Sequence, residues 1–277
     1  MLWTEKYRPQ FLNEIVGQSS FVLDAEQWVK NKSMPNVLLF GVAGTGKTAA
    51  AGALANEMLT DYKQSNFFEI NASDDRKLES VRTQIKEIAS TSKIGDAPFK
   101  IILLDEMDGM TKDAQNALKR IMERYADNCR FIITCNERHK IIYPLQSRCA
   151  NYQFNRLSDE NIRFILEQIL SQENQETPDI AEMEAFIGGL HGDIRRGITE
   201  LQASIFSDSP LSTVTKQSLE PYSEIIQMIL ENKHTDALDK LHSMVYQITD
   251  MKTICVNLHD AVLNTKMTHT KKFQLLK

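Results

Sequence analysis

The residues of this 277-residue chain whose types and spacing suit chemistry lie first in Gly41-Val-Ala-Gly-Thr-Gly-Lys-Thr48, which follows the P-loop spacing GxxxxGK[ST]. In such a loop the glycines let backbone N–H groups turn inward around phosphates, so Val42, Ala43, Gly44, Thr45 and Gly46 form the cradle. Lys47 reaches the outer phosphates, and the Thr48 hydroxyl is placed to ligate magnesium. The apolar run Asn36-Val-Leu-Leu-Phe40 precedes the loop and the Ala-rich segment 49–58 follows it, giving strand, loop and helix in order. The helix adds the positive end of its dipole. A glycine-lysine-threonine string also occurs in plain loops, but this context points to a nucleoside triphosphate.

The second chemical signal is Lys100-Ile-Ile-Leu-Leu-Asp-Glu-Met-Asp108. Four apolar residues followed by Asp105-Glu106 put a carboxylate pair at the carboxyl end of a buried strand, where open α/β sheets bind ligands. This is a Walker B pattern. Asp105 is expected to hold magnesium, usually through water, and Glu106 to polarise the attacking water as general base. Acidic residues after a strand are commonplace alone; downstream of a P-loop they are specific.

The remaining elements must position these groups. Strands are expected at 66–71, 100–105, 130–136 and 151–155 besides 36–40, alternating with helices at 20–30, 49–58, 78–90 and 112–125, which indicates a parallel sheet covered on both faces. A P-loop binds only phosphates, so Tyr7, Arg8 and Pro9, with Ile15, Val16 and Gly17, are candidates to hold a base; an arm that merely caps the core is the equal alternative. Asn136, at the tip of the strand 130–136, is either a turn former or a residue that orients water against the γ-phosphate. The polar turn 72–76 is followed by a helix with the core stripe Leu78, Val81, Ile85 and Ile88. Arg82 and Lys86 lie one turn apart on a neighbouring face.

From Ser158 no strands are expected. Ser158 opens one helix, Pro178 a second ending at Gly188-Gly189, and Gly192-Asp193 caps a third through Phe206. Residues 207–210 read as a linker, with further helices at 221–230, 235–247 and 251–264. The expected division is 1–156 for the P-loop α/β core, 157–208 for a small helical domain and 209–277 for a further all-α unit.

Composition narrows the class without choosing the activity. Hydrophobic residues make up 42% and charged residues 25% of the chain, an ordinary globular balance. No apolar run approaches the roughly 20 residues that span a bilayer, and the first nine residues lack the apolar stretch of a signal peptide, so an intracellular location is expected. Cys129, Cys135, Cys149 and Cys255 show no metal-ligand spacing and read as reduced thiols. A net charge of −5 gives no overall attraction to nucleic acid, which would need a local basic face.

Trp3-Thr-Glu-Lys-Tyr-Arg-Pro9, Ile15-Val-Gly-Gln18, the P-loop, Asp105-Glu106, Ser147-Arg-Cys149 and Gly192-Asp-Ile-Arg-Arg196, in one order, resemble the replication factor C small subunits, clamp-loader ATPases of the AAA+ class. The resemblance covers residues 1–206; in 209–277 it implies a collar that oligomerises, shorter than the family's usual one. Val42-Ala43 replaces two prolines and Met107 an alanine, and neither change touches a catalytic atom. The family implies a five-stranded α/β core with a lid and collar, ATP and Mg2+ as ligands, and a ring of clamp-loader subunits with a large subunit. It also implies a sliding clamp and primer–template DNA as partners. Arg148 becomes an arginine finger supplied to a neighbour, Asn136 the first sensor, Arg195 the second sensor on the chain's own γ-phosphate, and Asn71 a restraint on Glu106. Arg82, Lys86 and Lys112 are expected to line a channel and contact DNA backbone. Another AAA+ machine, such as a branch-migration motor or origin-binding ATPase, and a non-hydrolysing ring subunit are the alternatives.

Overall fold

A computed structural model describes residues 1–72, 78–207, 211–231, 233–247, 254–255, 258–259 and 261–262. Five strands, β1 (Asn36–Phe40), β2 (Phe67–Asn71), β3 (Lys100–Asp105), β4 (Cys129–Cys135) and β5 (Cys149–Gln153), form one parallel sheet in the order β2-β3-β4-β1-β5. The helices are α1 (Trp3–Lys6), α2 (Ser19–Asn31), α3 (Lys47–Leu59), α4 (Lys63–Asn66), α5 (Leu78–Ser90), α6 (Lys112–Arg124) and α7 (Tyr143–Gln146). They continue with α8 (Asp159–Gln172), α9 (Ile180–Leu190), α10 (Ile194–Ser207), α11 (Leu211–Leu230) and α12 (His234–Gln247).

Strand side chains alternate between two apolar layers, as a sheet covered on both faces requires. Val37, Leu39, Ile101, Leu103 and Ile132 pack with Phe21, Ala25, Ala50 and Leu54 of α2 and α3. Leu38, Ile102, Leu104, Phe131 and Ile133 pack with Ile85, Leu118 and Met122 of α5 and α6. Of the stripe expected on α5, the side chains of Leu78 and Val81 lie outside the described residues, as do positions 73–76 of the expected turn.

The chain divides into two compact units, Met1–Pro178 with Leu190–Gln202, and Asp179–Gly189 with Ala203–Lys277. Within the second, Tyr222, Ile225 and Ile226 of α11 cluster with Ala237 and Met244 of α12. Several expected boundaries move, most by one or two residues, and two of the shifts have a plain cause. α11 begins at Leu211 rather than near Pro221, because the proline sits inside a continuous helix instead of opening one. β5 begins at Cys149, two residues early, since its register pairs Asn36 with Cys149 and Phe40 with Gln153. The expected linker positions 208–210, and most of the helix expected over 251–264, lie outside the described residues.

Gly41 leaves β1 at a φ of 147°, and a Cβ placed there would stand 2.1 Å from the Phe154 carbonyl oxygen just beyond β5. Gly41→Ala is therefore expected to destabilise the fold by about 1–3 kcal/mol. Urea unfolding checks this, as a lower midpoint at an unchanged m-value.

Candidate active site

Parallel strands expose their carboxyl ends along one edge, and a crevice opens where successive strands are not neighbours in the sheet. Here β1 stands between β4 and β5, so the loop after β1 faces the ends of β3 and β4. A cavity of about 850 Å³ lies at that edge. It is lined by Tyr7, Arg8, Pro9, Val16, the loop residues Ala43 to Thr48, Asp105, Glu106, Asn136 and Arg195. Gly17, at a φ of 79°, abuts Leu157 and Asn161 at the start of α8. The Val42 side chain is exposed, while its carbonyl faces inward to accept from Lys47 and Thr45.

Lys47 opens α3 with only 8% of its surface exposed. Its ammonium donates to the carbonyls of Gly41 and Val42, each at 2.8 Å, and to Asn136 Oδ1 at 3.0 Å, which occupies its three protons. Burial pushes its pKa below the ordinary lysine value, and the Arg195 guanidinium adds to that push; the Cys135, Asp105 and Asp108 side chains oppose it. Gly44 and Gly46 hold φ values of 77° and 88°, the left-handed region. A Cβ on Gly44 would collide with the Asp193 carboxylate, so the loop tip rests against the residue that caps α10 through Arg196 N.

The acidic side is organised by a residue the sequence reading passed over. Thr48 Oγ1 lies 3.1 Å from both Asp105 oxygens. Thr134, on β4 beside Asp105, donates its hydroxyl to Asp105 Oδ1 and accepts from the Glu106 N–H at 3.1 Å. Thr134 is fully buried in a strand otherwise apolar at its inner positions, and a buried hydroxyl there was the available signal. Glu106 has a φ of 53°, an uncommon conformation for a residue with a Cβ, so the backbone turns sharply as it leaves β3. Asn136 receives Lys47 through its side chain, and its N–H approaches Asp108 Oδ1 at 3.4 Å.

Arg148, Asn71, Lys86 and Lys112 are not among the residues that line this cavity. Arg148 precedes Cys149, which pairs with Asn36 at the amino end of β1, so about 15 Å of strand separates it from the chain's own P-loop. Its guanidinium donates to Glu123 Oε1 and to the Pro144 carbonyl. Asn71 ends β2 in register with Asp105. Lys86 and Lys112 are exposed on the adjacent helices α5 and α6, with Thr111 capping α6; the Arg82 side chain lies outside the described residues. Of the two arginines at the start of α10, Arg196 pairs with Glu200 at 2.6 Å and Arg195 faces the cavity.

Residues 37–157 match the ATPase family associated with various cellular activities (AAA). Replication factor C small subunits align over most of the chain. That of Methanosarcina acetivorans is 42% identical across 89% of this chain and 75% of its own length, and that of Methanothermobacter thermautotrophicus 43% across 88% and 77%. This chain belongs to the replication factor C small subunit family. It is accordingly a nucleotide-binding AAA ATPase with the clamp-loading role of that family in DNA replication. A single-site variant of Thermotoga maritima RuvB superimposes at a TM-score of 0.68 over 97% of this chain and 98% of its own; at 16% identity the likeness is one of fold. No helix among the described residues is long and apolar enough to cross a membrane. All four cysteines are free, and no group of three or more metal-binding side chains occurs among the described residues.

Thr134→Val keeps the strand's shape and deletes the hydroxyl that joins Asp105 to the Glu106 N–H. Turnover is expected to fall about 10–100-fold, the usual scale for removing a partner of a site carboxylate. Nucleotide affinity should change much less, and steady-state kinetics beside equilibrium binding separates the two.

Proposed function

We propose that this chain binds ATP in the cavity at the sheet edge and hydrolyses it at a site completed by a neighbouring subunit. The observation that carries the proposal is the separation of Lys47, Asp105 and Glu106 from Arg148 by the length of β1. An arginine at the far end of the sheet is useless to its own phosphates and available to those of a neighbour in a ring.

In this reading the loop amides and Lys47 hold the phosphates, and Tyr7, Arg8, Pro9, Val16 and Gly17 surround the base. Glu106 takes the proton of the attacking water, Asn136 orients that water, and Arg195 meets the γ-phosphate from α10. Phosphoryl transfer needs positioning and charge neutralisation above all, so guanidinium groups from two directions suit the chemistry. The hydroxyl of Thr48 and the carboxylate of Asp105, 3.1 Å apart, are oxygen donors that fit Mg2+. When bound, the cation supplies charge neutralisation at the transferring group. The register of Asn71 with Asp105 supports its role as a restraint near Glu106. Residues 157–208 act as the lid and 209–277 as the collar of a ring that includes a large subunit. ATP binding lets that ring open a sliding clamp, and primer–template DNA triggers hydrolysis and release of the closed clamp.

Glu106→Gln should bind ATP and stall, since the amide keeps the shape and loses basicity. Arg148→Ala should leave ATP binding intact and lower the neighbour's turnover by about 10³–10⁵, the range of related arginine fingers. Rings mixing the two variants should hydrolyse ATP only where an intact finger meets an intact Glu106. Normal turnover in a homogeneous Arg148→Ala ring would rule out the trans site.

Lys86 and Lys112, with Arg82, are proposed to contact the DNA backbone without reading bases; free N–H groups at the start of α6 add to the attraction. Replacing all three by alanine should weaken primer–template binding equally across sequences. It should also flatten the salt dependence, about 0.9 in log K against log salt for each lost phosphate contact. An unchanged slope on an assembled ring would place the DNA elsewhere.

A further inference from the structure

α1 is a single turn of four residues, far below the length at which a helix sustains itself in water. Its conformation must be imposed from outside, and two side chains do so, one at each end. Gln202 on α10 accepts from the Trp3 N–H at 2.9 Å, one of the donors that a helix start leaves without an internal partner. The same amide donates to the Met1 carbonyl at 3.1 Å. Both Gln202 and Trp3 are buried. At the other end, the Lys6 ammonium and the Tyr7 hydroxyl each donate to Glu173 Oε1 at 2.7 Å. The Trp3 and Tyr7 rings meet edge to face between these two anchors, with centroids 6.2 Å apart.

The anchors belong to the two helices that wall the cavity. Glu173 caps α8, whose Gln168 and Gln172 line it. Gln202 follows Arg195 and Ile198 at the i, i+3, i+7 spacing of one helical face, and both of those residues line the cavity.

We propose that Gln202 and Glu173 are positioning residues for the nucleotide base: by holding α1 at its start through a backbone N–H and at its end through the Lys6 and Tyr7 side chains, they fix Tyr7, Arg8 and Pro9 against the cavity. The proposal rests on the reading of those three residues as base contacts. Neither anchor touches the P-loop, so its removal should weaken recognition of the base and spare recognition of the phosphates.

The test measures equilibrium binding of ATP and of inorganic tripolyphosphate, which lacks a base, to the full chain. In Gln202→Leu and Glu173→Ala, ATP affinity is expected to fall about tenfold, the scale of losing a hydrogen bond to a charged or buried partner. Tripolyphosphate affinity should stay at the parent value. Glu173→Gln, which keeps an acceptor for the Tyr7 hydroxyl, should recover most of the loss. Tyr7→Phe, a change too slight to threaten folding, should reproduce Glu173→Ala, and the double variant should lose nothing further. Unchanged ATP affinity in the anchor variants, or an equal loss for both ligands, overturns the proposal. If Tyr7→Ala and Arg8→Ala are silent as well, the base-contact reading falls with it; if those two weaken ATP binding alone, only the anchoring role falls.

Discussion

The arrangement depends on a positive charge held almost out of water at the carboxyl edge of the sheet. Burying an ammonium is costly unless each of its protons is received, and Lys47 meets that demand with two carbonyls of its own loop and one side chain from the end of β4. The third acceptor exists only because β4 lies next to β1. Strand order, loop conformation and the identity of residue 136 are thus facets of one electrostatic requirement. Arriving phosphate oxygens exchange neutral acceptors for anionic ones, and charge-assisted hydrogen bonds are roughly twice as strong as neutral ones.

The acidic half answers a different demand, keeping two adjacent carboxylates pointing apart. Successive residues of an extended strand point to opposite faces, which alone would send Glu106 into the apolar layer opposite Asp105. The positive φ at Glu106 breaks that alternation and leaves its side chain exposed. Such a conformation costs about 1–3 kcal/mol and persists only where the surroundings fix it. The Thr134 hydroxyl receives the Glu106 N–H, and the Glu106 carbonyl receives the Gly109 N–H of the turn that follows. One hydroxyl therefore holds the strained backbone while it engages Asp105.

Much of this was legible in the sequence where a single segment carries the whole signal. The apolar runs ending at Phe40 and Asp105, and the glycines of residues 41–46, need only their own neighbours to be understood. What escaped depends on neighbours far along the chain. Thr134 is an unremarked β-former until the pairing of Leu104 with Ile133 sets it beside Asp105. Gln202 is a polar residue on a helix until Met1 and Trp3 arrive from the other end of the chain. Pro221 misled for a local reason: proline favours the first turn of a helix, and α11 instead carries it inside. The early start of β5 has the same long-range origin as Thr134, since its bounds follow the register with β1 rather than the apolar residues of its own segment.

The two arginines proposed to meet phosphate differ in how they are held. Arg195 is carried by α10, which a buried amide ties to the N-terminal arm, and it lines the chain's own cavity. Arg148 leans on Glu123 with 37% of its side chain exposed, against 49% for its partner. Exposed ion pairs contribute about 0–1 kcal/mol, so this contact aligns the guanidinium without trapping it. A transition-state contact of the arginine-finger kind is worth about 10³–10⁵ in rate, several times that energy. On the proposed trans site, breaking the exposed pair with Glu123 would therefore cost little when a neighbouring γ-phosphate comes within reach. A buried pair would have removed that freedom, because separating it would strand a charge at a cost of about 3–5 kcal/mol.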